Sequence, residues 1–272
     1  MNNQYKTLKN QVKIPSIGLG VYLMEPGDQT RCAIQYGIKA GYTHFDTAQL
    51  YQNEQSVTDA LNGLGIKREN FFITTKINRL NHGYDNAIES YQQSLDEAKL
   101  KYFDLLLIHW PEGPIRKETW KALEHLYREK RCRAIGVSNY TIKHLEEMKE
   151  YAEILPMVNQ VEFHPYLYQK KLLNYCQKND ILLQAYSPLT HGEKINDEKL
   201  SKISLNYNKT NAQILIKWGL QQGLVVLPKS TKEHRIQENF DVFDFEINNN
   251  DMDILNSLNE NLRTCWNPSN VE

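Results

Sequence analysis

Two ionisable side chains end apolar runs of this sequence, at positions that do not suit an ordinary surface residue. Lys76 closes the run FFITTK, and His109 closes the run LLLIH. A buried ammonium without a partner is costly, so Lys76 needs a carboxylate, and Asp46 on the neighbouring predicted strand is the obvious one. Spacing alone leaves open whether Asp46 and Lys76 form a stabilising buried pair or take part in catalysis.

A second group of charged and polar side chains lies in the segment LPKSTKEHRIQENF. Ser230 and Glu233 have the S-x-x-E spacing of a capping box, which predicts that a helix begins there. Lys229 precedes that helix, and Arg235 lies one turn into it. An ammonium, a guanidinium and the free N–H groups of a helix N-terminus suit a dianionic phosphate, although a solvated helix start has the same pattern.

Short β-rich runs alternate with longer amphipathic segments along the chain, and no linker or charge block divides it. Most of these runs are almost continuously apolar, as in DLLLIHW and LVVLPK, which is typical of parallel strands covered on both faces. The predicted strands are Thr43–Asp46, Phe71–Lys76, Phe103–His109, Arg133–Val137, Met157–Val161, Ile181–Ala185, Leu224–Leu227 and Val242–Phe245.

Eight strands, each followed by a helical segment, predict a closed (β/α)8 TIM barrel that forms a single domain over residues 1–272. The segment around Leu8–Gln11 predicts a short N-terminal β-hairpin. An open doubly wound sheet usually carries G-x-G-x-x-G, and the run from Gly18 does not complete this motif because Leu23 occupies its last position. In a barrel, catalytic groups lie at the C-terminal ends of the strands.

Composition and charge exclude several classes of protein. The 272 residues are 40% hydrophobic and 24% charged, and the net charge of −1 gives no field that would attract nucleic acid or an anionic membrane. No apolar run reaches the roughly 18 residues of a membrane span, and no secretory signal is evident. The four cysteines lie far apart without a CxxC pair, so we expect reduced thiols in a cytoplasmic protein.

Seven segments of the chain resemble, in order, the successive signatures of the aldo-keto reductase superfamily. They are GYTHFDTAQLYQNE (Gly41–Glu54), TTKI (Thr74–Ile77), LLLIHWP (Leu105–Pro111), IGVSNY (Ile135–Tyr140), NQVEFHPY (Asn159–Tyr166), AYSPL (Ala185–Leu189) and LPKSTKEHRIQENF (Leu227–Phe240). The resemblance covers nearly the whole chain. The short insert after the third predicted strand and the short C-terminal tail are most similar to prokaryotic diketogluconate and glyoxal reductases.

The resemblance implies a catalytic tetrad of Asp46, Tyr51, Lys76 and His109. Hydride delivery to a carbonyl carbon leaves an alkoxide that must be protonated, and Tyr51 is the implied donor. Free tyrosine has a pKa near 10, and we expect the Lys76 ammonium, held by Asp46, to lower it. A neutral His109 would hydrogen-bond the carbonyl oxygen of the substrate and orient it.

The same resemblance implies that NADPH is the cofactor. The nicotinamide amide is expected against Ser138, Asn139 and Gln160, with the ring on Tyr186, and the 2′-phosphate on Lys229 and Arg235. The complete set of implied cofactor-binding residues is Ser138, Asn139, Gln160, Tyr186, Ser187, Leu189, Lys229, Ser230, Arg235, Glu238 and Asn239. Tyr22, Trp110 and His109 are the implied substrate-binding residues.

The chain departs from the family pattern at two places. Thr43 stands where the first signature usually has arginine, and we expect little effect because that side chain points away from the site. The loop after AYSPL commonly continues with glycine but here reads Thr190-His191-Gly192, which puts the contact of this loop with the cofactor pyrophosphate in question.

Two other functions fit parts of the sequence. Glu162, His164, Asp46 and His109 could supply ligands in a metal-dependent barrel hydrolase or isomerase, but Pro165 follows at once and no second His–carboxylate pair is evident, so we expect no metal. A barrel of this family could also act as a cofactor-binding regulatory subunit. We expect instead a monomeric carbonyl reductase, because the implied tetrad is complete. Variable loops after the strands set the shape of the substrate pocket, so small aldehydes, α-dicarbonyls and keto-sugars all remain candidate substrates.

Overall fold

The computed structural model describes residues 4–271 and consists of a parallel barrel, a hairpin and surrounding helices. The strands are β1 Tyr5–Thr7, β2 Lys13–Pro15, β3 Leu19–Gly20, β4 His44–Asp46, β5 Phe72–Ile77, β6 Phe103–Ile108, β7 Cys132–Ser138, β8 Val158–Glu162, β9 Leu182–Tyr186 and β10 Val225–Leu227. The helices are α1 Asp28–Ala40, α2 Glu54–Gly63, α3 Tyr84–Glu97, α4 Arg116–Arg128, α5 Ile142–Met148, α6 Lys170–Lys178, α7 Glu198–Tyr207, α8 Asn211–Gln221, α9 Glu233–Phe240 and α10 Asn249–Asn256. Residues 1–3 and 272, which the predicted domain includes, lie outside the described residues.

The barrel is one eight-stranded sheet in which β3 to β10 follow each other in chain order, and every neighbouring pair is parallel. The backbone around β3 closes the sheet against β10. The Val226 amide donates to the Ser16 carbonyl at 2.9 Å, and the Gly18 amide donates to the Val226 carbonyl at 3.0 Å. These bonds confirm the predicted (β/α)8 barrel.

One predicted strand was wrong, and one barrel strand was missed. The segment Val242–Phe245 lies outside the sheet. Its apolar side chains pack elsewhere, since Val242 is buried and the Phe243 ring packs on Phe240 of α9, with ring centroids 5.8 Å apart. The missed barrel strand is β3, the first along the chain, which pairs with β4. Two residues are too few for an alternating or continuous apolar pattern to be recognised. The other seven predicted strands are therefore the second to eighth strands of the barrel.

The predicted N-terminal hairpin is present as β1 paired antiparallel with β2. Its turn crosses the N-terminal ends of the barrel strands. The side-chain Nδ2 of Asn10 donates to the Arg133 carbonyl at the start of β7 at 2.9 Å. The Lys9 ammonium donates to the Pro156 carbonyl just before β8 at 3.2 Å. The hairpin therefore lies at the end of the barrel opposite the strand C-termini.

Burial on both faces of the sheet explains why the central strands are continuously apolar. All six residues of β5 and all six of β6 are buried, since one face fills the barrel and the other packs on helices. Thr141 and Thr210 form capping boxes at the starts of α5 and α8, and each cap is worth about 1 kcal/mol. Within residues 4–271, no helix has both the length and the apolar character that crossing a membrane requires.

Candidate active site

A buried ion pair lies at the C-terminal ends of β4 and β5. The Lys76 ammonium donates to Asp46 Oδ1 at 2.5 Å and to the Thr47 carbonyl at 2.8 Å, and Lys76 is fully buried. Burial lowers the pKa of Lys76, while the negative charges of Asp46 and Glu54 oppose that shift. Asp46 is thus the carboxylate partner that was predicted for Lys76, and without it the buried ammonium would destabilise the barrel.

The second oxygen of Asp46 connects the ion pair to the opposite side of the barrel. Gln160 of β8 donates from Nε2 to Asp46 Oδ2 at 2.7 Å and to Gln184 Oε1 of β9 at 2.9 Å. Both glutamines are buried. A continuous polar chain of Lys76, Asp46, Gln160 and Gln184 therefore crosses the barrel interior. No pattern in the sequence had singled out Gln184.

Tyr51 ends a 3-10 turn that directly follows β4, and this turn places its ring beside the ion pair. The Lys76 ammonium lies 5.1 Å from the centre of the Tyr51 ring, and the rings of Tyr22 and His109 lie at 5.1 and 5.5 Å. The ring remains partly exposed. Within residues 4–271, no hydrogen bond engages the Tyr51 hydroxyl, which leaves it available to a ligand.

The expectation that Lys76 lowers the pKa of Tyr51 was wrong for this structure. Desolvation by the surrounding protein raises that pKa well above its ordinary value, and the negative charge of Asp46 acts in the same direction. The Lys76 ammonium, which is paired with Asp46 at 2.5 Å, does not offset this desolvation. Tyr51 therefore carries its proton at neutral pH, as a proton donor must.

His109 follows β6, and its ring faces the Tyr51 ring edge-on at 5.5 Å. Burial lowers the pKa of His109 to about 3, and the positive charges of Lys76 and His82 add to this effect. The imidazole is therefore neutral at physiological pH, in agreement with the expected neutral His109. A neutral ring keeps one N–H donor and one acceptor nitrogen.

Further predicted residues meet at the ends of β7, β8 and β9. The Tyr186 hydroxyl donates to Asn139 Oδ1 at 2.7 Å, and Asn139 Nδ2 donates to the His109 carbonyl at 3.1 Å. Ser138 Oγ donates to the Gln160 carbonyl at 2.9 Å. Asn139 has a left-handed backbone with φ 66°, a conformation that asparagine adopts more readily than most residues. These bonds hold the Tyr186 ring at the mouth of the barrel.

The divergent loop after β9 turns back on itself. Thr190, His191 and Gly192 all have positive φ, at 53°, 51° and 90°. This conformation brings His191 Nε2 to 2.9 Å from Ser187 Oγ, while half-buried Leu189 leads into the turn. The predicted cofactor residue Ser187 thus has an imidazole as its neighbour.

The predicted capping box at Ser230 and Glu233 does not form. Helix α9 begins at Glu233 after an N-cap at Lys232, and Ser230 Oγ instead accepts from the Lys232 amide at 3.1 Å. The Glu233 carboxylate pairs with Lys39 at 2.8 Å. Because Ser230 lies three residues before the first helical residue, its hydroxyl cannot reach the N–H groups of the first turn.

Two cations near the start of α9 lack acidic partners. None of the ion pairs found within the described part of the chain includes Lys229 or Arg235, and both side chains are exposed. Partial desolvation lowers the pKa of Lys229. The Glu238 carboxylate accepts from Thr210 Oγ1 at 2.9 Å, and Asn239 is buried. An ammonium and a guanidinium without counter-ions fit an anionic ligand such as a phosphate.

The sequence interpretation missed the C-terminal tail as part of the site. Thr264 donates to Glu162 Oε1 from its backbone N–H at 2.6 Å and from its hydroxyl at 2.7 Å, which anchors the tail at the end of β8. Trp266 then packs edge-on against the predicted substrate residue Trp110, with ring centroids 6.0 Å apart, and is 69% exposed. A tryptophan in the polar run WNPSN was the only available signal.

The residues considered as metal ligands do not assemble into a site. The Glu162 carboxylate accepts hydrogen bonds from Thr264, and its Oε1 lies 3.3 Å from His164 Nε2. Across residues 4–271, no three histidine, cysteine, aspartate or glutamate side chains are grouped so that they could hold a metal ion.

Comparisons with known proteins agree with the geometry. The model of the aldo/keto reductase family matches residues 17–260. The chain is 46% identical to the glyoxal reductase of Bacillus subtilis over 264 residues, which are 97% of this chain and 96% of that protein. The crystal structure of MGS-M4, an aldo-keto reductase enzyme from a deep-sea metagenome library of the Medee basin, matches with a TM-score of 0.95 at 40% identity, over 98% of this chain and 99% of that chain. A mutant of Gox0644 in complex with NADPH matches with a TM-score of 0.92 at 35% identity, over 98% of both chains.

Proposed function

Since this chain belongs to the aldo/keto reductase family and so is an NADPH-dependent oxidoreductase, we propose that it reduces small aldehydes, α-dicarbonyls or keto-sugars to alcohols with Tyr51 as the proton donor. The observation that carries the proposal is the Tyr51 hydroxyl, which has no hydrogen-bond partner among the described residues and lies beside the buried Lys76–Asp46 pair. A protonated phenol next to a fixed ammonium suits the protonation of a developing alkoxide.

The residues around the barrel mouth fit NADPH by the chemistry of their donors. Lys229 and Arg235, as cations without counter-ions, would hold the 2′-phosphate together with Ser230. Gln160 and Asn139 would bind the nicotinamide carboxamide, and the Tyr186 ring would support the nicotinamide. When bound, NADPH supplies the hydride that reduces the carbonyl carbon.

The residues of the tetrad then divide the remaining work. Neutral His109 donates a hydrogen bond to the carbonyl oxygen and sets its direction, and Tyr51 gives its proton to the same oxygen as charge develops there. The ammonium of Lys76 opposes the negative charge left on Tyr51, and Asp46 keeps that ammonium in place. Solvent then returns a proton to Tyr51.

NADPH consumption by the purified protein against a panel of aldehydes, α-dicarbonyls and keto-sugars tests this proposal, with NADH assayed in parallel. We expect turnover with NADPH well above turnover with NADH, and the ranking of substrates would define the pocket. Tight NADPH binding without turnover on any member would favour the cofactor-binding regulatory subunit over the reductase.

A further inference from the structure

We propose that Gln184 is a positioning residue for the candidate cofactor site. It fixes the Gln160 amide so that Gln160 offers its carbonyl oxygen, and not its NH2 group, to the nicotinamide carboxamide. This inference rests on the proposed function, because it assumes that Gln160 faces the carboxamide of NADPH.

The two glutamines are paired by the barrel itself. Gln160 of β8 and Gln184 of β9 are directly opposite each other in the parallel register, and they are 2% and 0% exposed. An NH2 group has two N–H donors, and those of Gln160 are both used, on Asp46 Oδ2 at 2.7 Å and Gln184 Oε1 at 2.9 Å. A reversed amide would place Gln160 Oε1 against two acceptor oxygens, so the environment selects one orientation.

The carbonyl oxygen of Gln160 is available to a ligand. It accepts no hydrogen bond from another described residue, and it is not among the fully enclosed polar atoms without a partner. The site therefore presents an acceptor. A carboxamide NH2 group can donate to such an oxygen, whereas a ketone in its place cannot.

Asp46 alone would not fix this orientation as firmly. Its carboxylate takes one N–H of Gln160, and without Gln184 the other N–H would be left unpaired in a buried site. Gln184 has no other evident task among residues 4–271, because its Nε2 is enclosed without a hydrogen-bond partner and its side chain bonds only to Gln160. Since its only hydrogen bond among these residues is the one accepted from Gln160, Gln184 would influence the cofactor through the orientation of Gln160.

Calorimetric titration with NADP⁺ and with its 3-acetylpyridine analogue, in which an acetyl group replaces the carboxamide, tests the inference. We expect wild-type protein to prefer NADP⁺ by about tenfold, the value of one hydrogen bond. Gln184→Met should reduce this preference to about twofold or less, and Gln184→Glu, which keeps an acceptor oxygen, should restore it in part. If Gln184→Met does not fold, Gln184→Thr takes its place in the comparison, because it also removes the Gln184 amide oxygen.

Two controls separate a positioning role from a general loss of packing. Thr74→Val removes a buried hydroxyl that bonds His44 and not Gln160, and it should leave the preference unchanged. In a Gln160→Met background, Gln184→Met should change the preference by less than about twofold, because contacting residues couple. An unchanged preference in Gln184→Met, or an equal effect in both backgrounds, overturns the inference.

The wild-type titrations distinguish this inference from the proposed function. Wild-type protein that binds neither dinucleotide refutes both. Wild-type protein that binds both dinucleotides equally, while it still reduces carbonyls with NADPH, overturns only the assignment of Gln160 and Gln184.

Discussion

Replacing Tyr51 by phenylalanine is the sharpest test of the mechanism, because it removes one oxygen atom from the centre of the site. That hydroxyl has no hydrogen-bond partner among the described residues, so no buried polar group loses a partner in the variant. We expect the free energy of unfolding to change by less than about 1 kcal/mol. NADPH affinity should stay within about threefold of the wild type.

The catalytic effect should be much larger than the effect on stability. A positioned general acid contributes roughly 10²–10⁴-fold to a rate, which corresponds to about 3–5 kcal/mol of transition-state stabilisation. The upper part of this range is expected because, among the described residues, no phenol ring other than that of Tyr51 contacts the His109 ring. The loss should fall on kcat.

The assay is steady-state NADPH oxidation with the best substrate of the panel, together with a fluorescence titration of NADPH binding. Tyr22→Phe is the matched control, because the Tyr22 ring lies 5.1 Å from the Tyr51 ring and carries the same hydroxyl. It should retain kcat within about threefold. Turnover of Tyr51→Phe near the wild-type rate would falsify the assignment of the proton donor, and an equal loss in both variants would show a general effect of the pocket phenols.

Three further changes test other parts of the site. Replacing Lys229 and Arg235 together by methionine should weaken NADPH binding about 100-fold or more and NADH binding less than about threefold, since each makes a charge-assisted bond to the 2′-phosphate; equal losses would place the phosphate elsewhere. Burial raises the pKa of Glu54 from 4.5 to about 6, so the folded state holds this proton more tightly than the unfolded chain does. In urea denaturation, the stability of wild type relative to Glu54→Gln should therefore fall by about 2 kcal/mol as the pH rises through this window, and a constant difference would contradict the shift. Trp266→Ala should raise KM for aromatic aldehydes about fivefold and leave KM for methylglyoxal nearly unchanged, because its exposed ring adds a stacking face beside Trp110; similar changes for both substrates would argue against that contact.

The sequence determined the barrel and the positions of the predicted tetrad. Runs such as FFITTK and LLLIH mark the C-terminal ends of buried strands, and parallel strands in chain order bring those ends to one face. The partnership of Lys76 with Asp46 followed from the cost of an unpaired buried ammonium, and the structure confirms it. These conclusions depend on local pattern and on rules that hold for any chain.

Other features required the coordinates because they depend on distances between remote segments. The two-residue strand β3 has no pattern of its own and exists because β10 and β4 flank it. Ser230 has the spacing of a capping residue, yet the path of the chain starts α9 too late for its hydroxyl to cap the helix.

The tertiary structure also decided the electrostatics of the site. The sequence suggested that Lys76 lowers the pKa of Tyr51, whereas burial and Asp46 together raise it. Likewise, Gln184 and Trp266 gain their importance only from their neighbours, since Gln184 meets Gln160 across the barrel and Trp266 reaches Trp110 from the tail. Residue types and spacing specify which groups can react. The desolvation of those groups and their side-chain contacts depend on atoms from distant parts of the chain, which only the fold brings together.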